Sequence, residues 1–279
     1  MALRNLLLRA AVLLGAGGGL AVVLALRATP PAAVAAEPVA PQRAPDPPVT
    51  EPSPAQAKPV TVKGIIANFR ELENPVWKDA ANPKNRGYSF REAVPTIRPE
   101  FRRLFPHAPK ELCIAALGTE KAKVPKPILV RVGGGRATPV TMVVPPGTQL
   151  SFKNTDPFAH RLHGVEIATF QAAATMKGAT REWTVAAPGA YEVRDELAPS
   201  LRFWVIGEPN VAASVYPNLK GEFALSLPAG DYTIQVYFAG KKVGDAKPVK
   251  VEATDLDLTK EPIKVAPDPK PAAKDAEKK

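Results

Sequence analysis

The sequence predicts a mainly-β protein: a Greek-key β-sandwich followed by a small β module, framed by disordered proline-rich tails. Short runs of β-branched and apolar residues are separated by glycine and proline turns, as at residues 128–132 and 140–144 around three consecutive glycines. The 32 prolines, about twice the average share, gather mostly outside these runs. This pattern favours a sandwich of short strands over a helical fold.

The expected strands follow one another between residues 60 and 252. Residues 149–153 alternate between apolar and polar side chains, as a half-buried strand does, and the turn at 228–230 makes a hairpin. The expected strands are 60–66, 128–132, 140–144, 149–153, 182–185, 190–193, 201–206, 222–227, 232–238 and 249–252. Residues 73–109 are irregular, with one short helix expected at 99–105.

The first 28 residues have the pattern of an export segment. Arg4 and Arg9 precede an uncharged apolar run at 10–26, which would span about 26 Å as a helix. A small-x-small pattern at 33–35 resembles a cleavage site. A cleaved signal peptide and an uncleaved membrane anchor therefore both remain open. Either one is expected to place the rest of the chain in the periplasm or cell envelope, or to release it as a secreted protein.

The remaining organisation follows from composition. A Pro/Ala-rich linker of extended polyproline geometry is expected at 29–59, and a disordered tail at 255–279. Between them lie a basic part at 60–136, the main sandwich at 137–208 and the small β module at 209–254. The lone cysteine, Cys113, has no partner for an internal disulfide and is interpreted as a small buried apolar side chain.

The net charge of +10 is concentrated in one part of the chain. Residues 61–136 carry 15 basic and 7 acidic side chains, whereas residues 137–254 are balanced. Such a basic region suggests an anionic envelope polymer or an acidic envelope protein as partner, although it could equally be a solvated surface. The export segment argues against nucleic acid as the partner.

Residues 139–206 resemble a cupredoxin, the β-sandwich of the blue-copper proteins. The resemblance rests on Pro-Gly-Thr-Gln-Leu-Ser-Phe-Lys-Asn-Thr-Asp (146–156) leading to His160, on Ala-Pro-Gly-Ala-Tyr-Glu-Val (187–193), and on the strand at 201–206. Residues 212–250 resemble a carboxypeptidase-regulatory-like, transthyretin-like module, through 221–225 and Leu-Pro-Ala-Gly-Asp-Tyr (227–232). The two resemblances imply a cupredoxin-like fold followed by a second β module of bacterial envelope proteins.

The copper ligands of that family are not matched. In the resembling proteins a Cys-x-x-His-x-x-Met motif follows the tyrosine strand, and here those positions are Asp195, Ala198 and Leu201. Without the thiolate a type 1 copper centre cannot form, so no cofactor is expected. Asp195 is instead expected to form an ion pair or a turn contact. Phe158 is expected to close this end of the sandwich.

A different metal site stays open as the alternative. His160, His163 and Asp195 would supply two imidazoles and a carboxylate, enough for zinc, copper(II) or nickel if the three side chains converge. The structural interpretation is that His160 is a loop residue with local hydrogen bonds and that His163 is a partly buried ring.

No catalytic motif supports an enzyme. The chain has three histidines and neither a Gly-x-Ser-x-Gly nor a His-Glu-x-x-His motif. A set of arginines with an aromatic residue is a candidate for binding a partner protein or a polymer. Its members are Arg86, Tyr88, Arg91, Arg98, Arg102 and Arg103. The alternative is that the aromatic residues of this region cap the sandwich and the arginines are simply solvated. The sequence thus favours a non-enzymatic envelope binding or scaffolding protein, with a periplasmic protein that binds copper or zinc through His160 and His163 as the alternative.

Overall fold

The computed structural model describes residues 58–81 and 105–267, and this part is built almost entirely from strands. The strands are β1 Val60–Ala67, β2 Leu112–Leu117, β3 Ile128–Gly133, β4 Arg136–Thr138, β5 Thr141–Val144, β6 Gln149–Asn154, β7 Leu162–Gly164, β8 Thr180–Thr184, β9 Gly189–Asp195, β10 Arg202–Gly207, β11 Val211–Val215, β12 Glu222–Leu227, β13 Gly230–Phe238, β14 Lys241–Val251, β15 Leu256–Asp257 and β16 Ile263–Lys264. Two short helices are α1 Pro75–Ala81 and α2 Ala108–Glu111. The predicted mainly-β sandwich architecture is confirmed.

Several predicted features lie outside the described residues. They are the export segment at 1–28, the linker up to residue 57, the helix expected at 99–105 except for its last residue, the arginine–tyrosine set at 86–103 and the tail beyond 267. Within 58–81 and 105–267, neither helix has the length and apolar character that crossing a membrane would require.

The first sandwich comprises β3 to β10. One sheet has the strand order β5-β10-β9-β7 and the other has β4-β3-β6-β8, with parallel pairing between β5 and β10 and between β3 and β6. In β6 the alternate residues Leu150 and Phe152 are fully buried, as period-two patterning requires. The Phe152 ring centroid lies 5.2 Å from that of Phe203 on the opposite sheet, so aromatic packing joins the two sheets.

The second sandwich is assembled from two separate segments. Its sheets have the strand orders β11-β2-β13-β14 and β12-β1-β15, with β16 also paired to β1. Strands β1 and β2 precede the first sandwich in the chain, whereas β11 to β16 follow it, so the first sandwich is inserted into the second. The pairing of β1 with β12 and of β2 with β13 joins the parts predicted as 60–136 and 209–254. The domain boundaries and the transthyretin-like resemblance stay predictions.

The end of the described chain differs from the expected tail. Residues 255–267 belong to the second sandwich, where β15 and β16 run parallel to β1 and Ile66 lies opposite Ile263. Ile263 and Val265 are each only 5% exposed, so two apolar side chains hold this segment in place despite its surrounding prolines and lysines. The prediction of disorder from residue 255 is therefore wrong for 255–267.

The two sandwiches pack together through the outer face of β2 and β13. Cys113, Ala115 and Tyr237 from these strands form one apolar cluster with Val143 and Ile206 of the first sandwich. Because burial removes Cys113 from water, the pKa of its thiol is raised to about 12. Cys113 is thus a buried, unpaired apolar side chain, as the sequence predicted, and not a reactive thiol.

Candidate functional site

The loop between β6 and β7 holds His160 inside the first sandwich. The His160 backbone pairs with Thr175, donating to the Thr175 carbonyl oxygen at 3.0 Å and accepting from the Thr175 amide at 2.7 Å. The Asn154 side chain donates to the carbonyl oxygens of Phe158 at 2.7 Å and Thr175 at 2.9 Å. These contacts fix both sides of the loop, and the His160 side chain is left only 1% exposed.

The His160 imidazole lies between two carboxylates, and these three residues form what we call the His160 cluster. Nδ1 lies 2.6 Å from Asp195 Oδ2, and Nε2 lies 3.1 Å from Asp156 Oδ2. Partial burial alone would raise the pKa of Asp156. The Gly134 amide, which donates to Asp156 Oδ1 at 2.8 Å, and His160 outweigh that effect and hold the pKa of Asp156 below its ordinary value.

Asp195 has a second role in the same cluster. Its Oδ1 accepts hydrogen bonds from the backbone amides of Leu197 at 2.7 Å and Ala198 at 2.9 Å. One carboxylate therefore binds the histidine with one oxygen and closes the turn after β9 with the other. The ion-pair and turn roles predicted for Asp195 from its position are both observed.

His163 does not join this cluster, which corrects the hypothesis that His160, His163 and Asp195 converge. In the antiparallel pairing of β7 with β9, Leu162 lies opposite Asp195 and His163 lies opposite Arg194. Because successive side chains in a strand point to opposite faces, His163 projects away from the face that carries Asp195. Its Nδ1 atom is buried and has no hydrogen-bond partner among the residues that the structure describes.

The residues at this end of the sandwich do not fit a type 1 copper ion. Where the sequence resemblance would place the thiolate ligand the chain has Asp195, and where it would place the later two ligands it has Ala198 and the fully buried Leu201, neither of which has a donor side chain. Both ring nitrogens of His160 already contact carboxylate oxygens. Across 58–81 and 105–267, no group of three His, Cys, Asp or Glu side chains is arranged to hold a metal ion.

Three large apolar side chains are exposed around the His160 cluster. Phe158 is 52% exposed, Met176 65% and Leu197 56%, and each lies within two residues of a member of the cluster or of Thr175, which pairs with His160. The Phe158 ring centroid is 5.1 Å from that of His160, so Phe158 covers the imidazole from outside. The prediction that Phe158 closes the sandwich is wrong in one respect, because half of its surface faces solvent.

This apolar surface was not predicted from the sequence. Phe158, Met176 and Leu197 lie on three loops far apart in the chain, and no periodic pattern links them. An exposed ion pair between Arg161 Nη1 and Glu196 Oε2, 3.0 Å apart, borders the surface on the same loops. We call Phe158, Met176 and Leu197 the apolar rim.

Comparisons with known proteins return cupredoxins among the solved structures. A purple cupredoxin from Nitrosopumilus maritimus is 19% identical, covers 30% of this chain and 100% of its own, and has a TM-score of 0.27. An oxidised amicyanin variant is 17% identical over 36% of this chain and 100% of its own, with a TM-score of 0.28. A copper-containing nitrite reductase from Thermus scotoductus is 21% identical over 34% of this chain and 25% of its own, with a TM-score of 0.27. No protein-family model and no curated protein matches the chain.

Proposed function

We propose that this chain is a non-enzymatic envelope protein that binds or scaffolds a partner protein, on a cupredoxin-like fold without type 1 copper. The observation that carries the proposal is the His160 cluster. A buried imidazole with carboxylates on both ring nitrogens is an internal structural group, and it offers no free lone pair to a metal ion or a substrate.

The apolar rim supports a protein as the partner. Phe158, Met176 and Leu197 are each more than half exposed on loops that the His160 cluster holds in place. Apolar side chains gathered on fixed loops and bordered by charge are typical of a protein contact, because the centre of such a contact is desolvated and its edge stays polar. The predicted arginine–tyrosine set at 86–103 would add a basic surface for an acidic partner.

A metal titration tests the first half of the proposal. The purified chain is titrated with Cu(I), Cu(II) and Zn(II), beside the double variant His160→Ala/His163→Ala. We expect no binding tighter than about micromolar in either protein. Tight binding by the wild-type chain that the double variant loses would overturn the proposal and make the chain a metal-handling protein.

Site-specific crosslinking in the native envelope tests the second half. A photoreactive residue at position 197 is compared with one at position 219, since Leu219 is a similarly exposed apolar side chain, 65% exposed, on the second sandwich. We expect one defined protein adduct from position 197 that is absent from position 219 and is lost when Phe158 and Met176 are changed to serine. Equal adducts from both positions, or none from position 197, would contradict a partner surface at the apolar rim.

A further inference from the structure

A small cavity with charged walls lies on the outer face of the β5-β10-β9-β7 sheet. It has a volume of about 170 Å³ and is lined by residues from α1, from the end of α2, and from β4 and β10. The side chains that matter here are Trp77, Glu111, Arg136, Ser200, Arg202 and Trp204. We call it the Arg202 cavity.

Arg202 is a buried cation with unused hydrogen-bonding capacity. The residue is 8% exposed, and its Nη1 lies 2.5 Å from Asp79 Oδ2 on α1. Its Nε atom is buried and has no hydrogen-bond partner among residues 58–81 and 105–267. Since a buried N–H group without a partner is costly, an acceptor in the cavity would remove that cost.

Glu111 is a buried carboxylate on the same cavity, 6% exposed. Its Oε2 accepts from the Asn74 side chain at 2.8 Å and its Oε1 from the His107 amide at 3.2 Å. Both donors are neutral, and no lysine or arginine of 58–81 or 105–267 forms an ion pair with it. A buried carboxylate without a cation beside it is normally unfavourable, so a cationic ligand group would stabilise it.

Among residues 58–81 and 105–267, the charged side chains at the cavity balance. Arg136 and Arg202 supply two positive charges, and Glu111 and Asp79 supply two negative ones. Nearby, Glu192 Oε1 forms an ion pair with Arg194 Nε at 2.6 Å and lies 4.0 Å from Arg202 Nη1. A ligand with a net charge would upset this balance, whereas a neutral molecule that carries one charge of each sign would preserve it.

We infer that the Arg202 cavity binds a small zwitterion, an α-amino acid of the size of glycine or alanine. The ligand carboxylate accepts from Arg202 Nε, and Arg136 lies on the wall to support it. The ligand ammonium group donates to Glu111. The cavity volume of about 170 Å³ is several times that of a water molecule, roughly 30 Å³, so there is room for a ligand of the size of alanine. Trp77 and Trp204 line the cavity and offer the ligand apolar surface.

Tryptophan fluorescence gives a direct measurement, because Trp77 and Trp204 are two of the three tryptophans in the chain. The full chain is titrated with glycine and L-alanine, and with acetate and methylammonium, which each supply one half of the zwitterion. Isothermal titration calorimetry measures the same affinities independently. We expect the amino acids to bind with a Kd of about 1 mM or lower, and each half-ligand at least about tenfold more weakly.

Three variants locate the binding. Glu111→Gln and Arg202→Gln each remove one charge and are expected to weaken alanine binding at least about tenfold. Ser200→Leu fills the cavity without changing a charge, so it keeps the test valid if either charge variant fails to fold. Glu182→Gln, on β8 of the opposite sheet, is the control and is expected to bind alanine like the wild type.

Three results would overturn the inference. Acetate that binds as tightly as glycine would show an anion site without zwitterion recognition. An absence of heat and of fluorescence change up to about 10 mM alanine would show that the cavity holds only solvent. Binding that survives in Ser200→Leu would place the ligand elsewhere. None of these results bears on the apolar rim, so the proposed partner-binding function is tested separately.

Discussion

The protein contains two groups of buried charged side chains that differ in how completely they are paired, the His160 cluster and the Arg202 cavity. In the His160 cluster both imidazole nitrogens and both Asp195 oxygens have partners within the protein. In the Arg202 cavity, within the part of the chain that the structure describes, Arg202 Nε has no partner and the Glu111 carboxylate accepts only from neutral donors. The polar atoms of the first group are already paired within the protein, whereas the second group has polar atoms that could still pair with a ligand.

The difference shows why the histidine is not the best guide to a small-molecule site here. A buried charge stabilises a fold only when its partners compensate for the lost hydration. Once His160, Asp156 and Asp195 have compensated one another, a ligand would have to replace contacts that already exist. The Arg202 cavity offers a ligand new contacts at less cost.

The largest expected loss of stability comes from removing one carboxylate of the His160 cluster. Asp195→Ala removes the Nδ1 partner of a histidine that is 1% exposed, together with the acceptor for two backbone amides. We expect the free energy of unfolding to fall by about 3–5 kcal/mol, the usual cost of removing one partner of a buried pair. Equilibrium denaturation in urea measures it.

The neighbouring glutamate is the matched control. Glu196 pairs with Arg161, but the two side chains are 41% and 46% exposed, so Glu196→Ala is expected to cost less than about 1 kcal/mol. In a double-mutant cycle, His160→Ala and Asp195→Ala should show a coupling energy of at least about 1 kcal/mol. Equal losses for Asp195→Ala and Glu196→Ala would mean that the cluster is not a buried structural unit.

A smaller effect is expected at the open cavity. Glu111→Gln keeps the side-chain size and gives up one of two hydrogen bonds with neutral donors, so we expect it to cost about 1–2 kcal/mol. Urea denaturation under the same conditions allows direct comparison with Asp195→Ala. A loss as large as that of Asp195→Ala would show that Glu111 is held by a cation and that the cavity is not open.

The smallest expected loss of stability depends on pH. The folded protein lowers the pKa of Asp156 below its unfolded value of about 3.9, so the resulting stability is present above about pH 4 and is lost as the pH falls through the folded pKa. Asp156→Asn is therefore expected to cost about 0.5–1 kcal/mol at pH 6, and the difference from wild type should shrink below about pH 4. Urea midpoints from pH 3 to 7 check this, and a difference that grows toward low pH would contradict it.

The strands that the sequence predicted and those that it missed differ in their surroundings. Strand β6 alternates between buried and exposed residues and was predicted almost to its ends. Strand β2 was missed because residues Leu112–Ala116 are buried on both faces of the strand. One face packs inside the second sandwich, and the other packs against the first sandwich. Its leucine, cysteine and alanine residues therefore show no period of two.

The candidate site also contains some residues whose roles the sequence predicted and others that it missed. Asp195 was expected to form an ion pair or a turn contact because the resemblance aligned it with a ligand position, and the structure shows both. The partner of Asp195 on the other side of the imidazole, Asp156, was not predicted. Arg202 and Glu111 are 91 residues apart in the sequence, and no local pattern marks either of them as part of a cavity.

By itself, the sequence determined the mainly-β class, the order of most strands and the lack of a thiolate at the position of Asp195. These features depend on local chemistry: side-chain alternation, turn residues and donor type. Only the tertiary structure decided that β1 and β2 complete a sandwich whose other strands come about 100 residues or more later, that His163 faces away from His160, and that Arg202 and Glu111 share a cavity. Those features depend on strand register and long-range pairing, which composition and spacing along the chain do not specify.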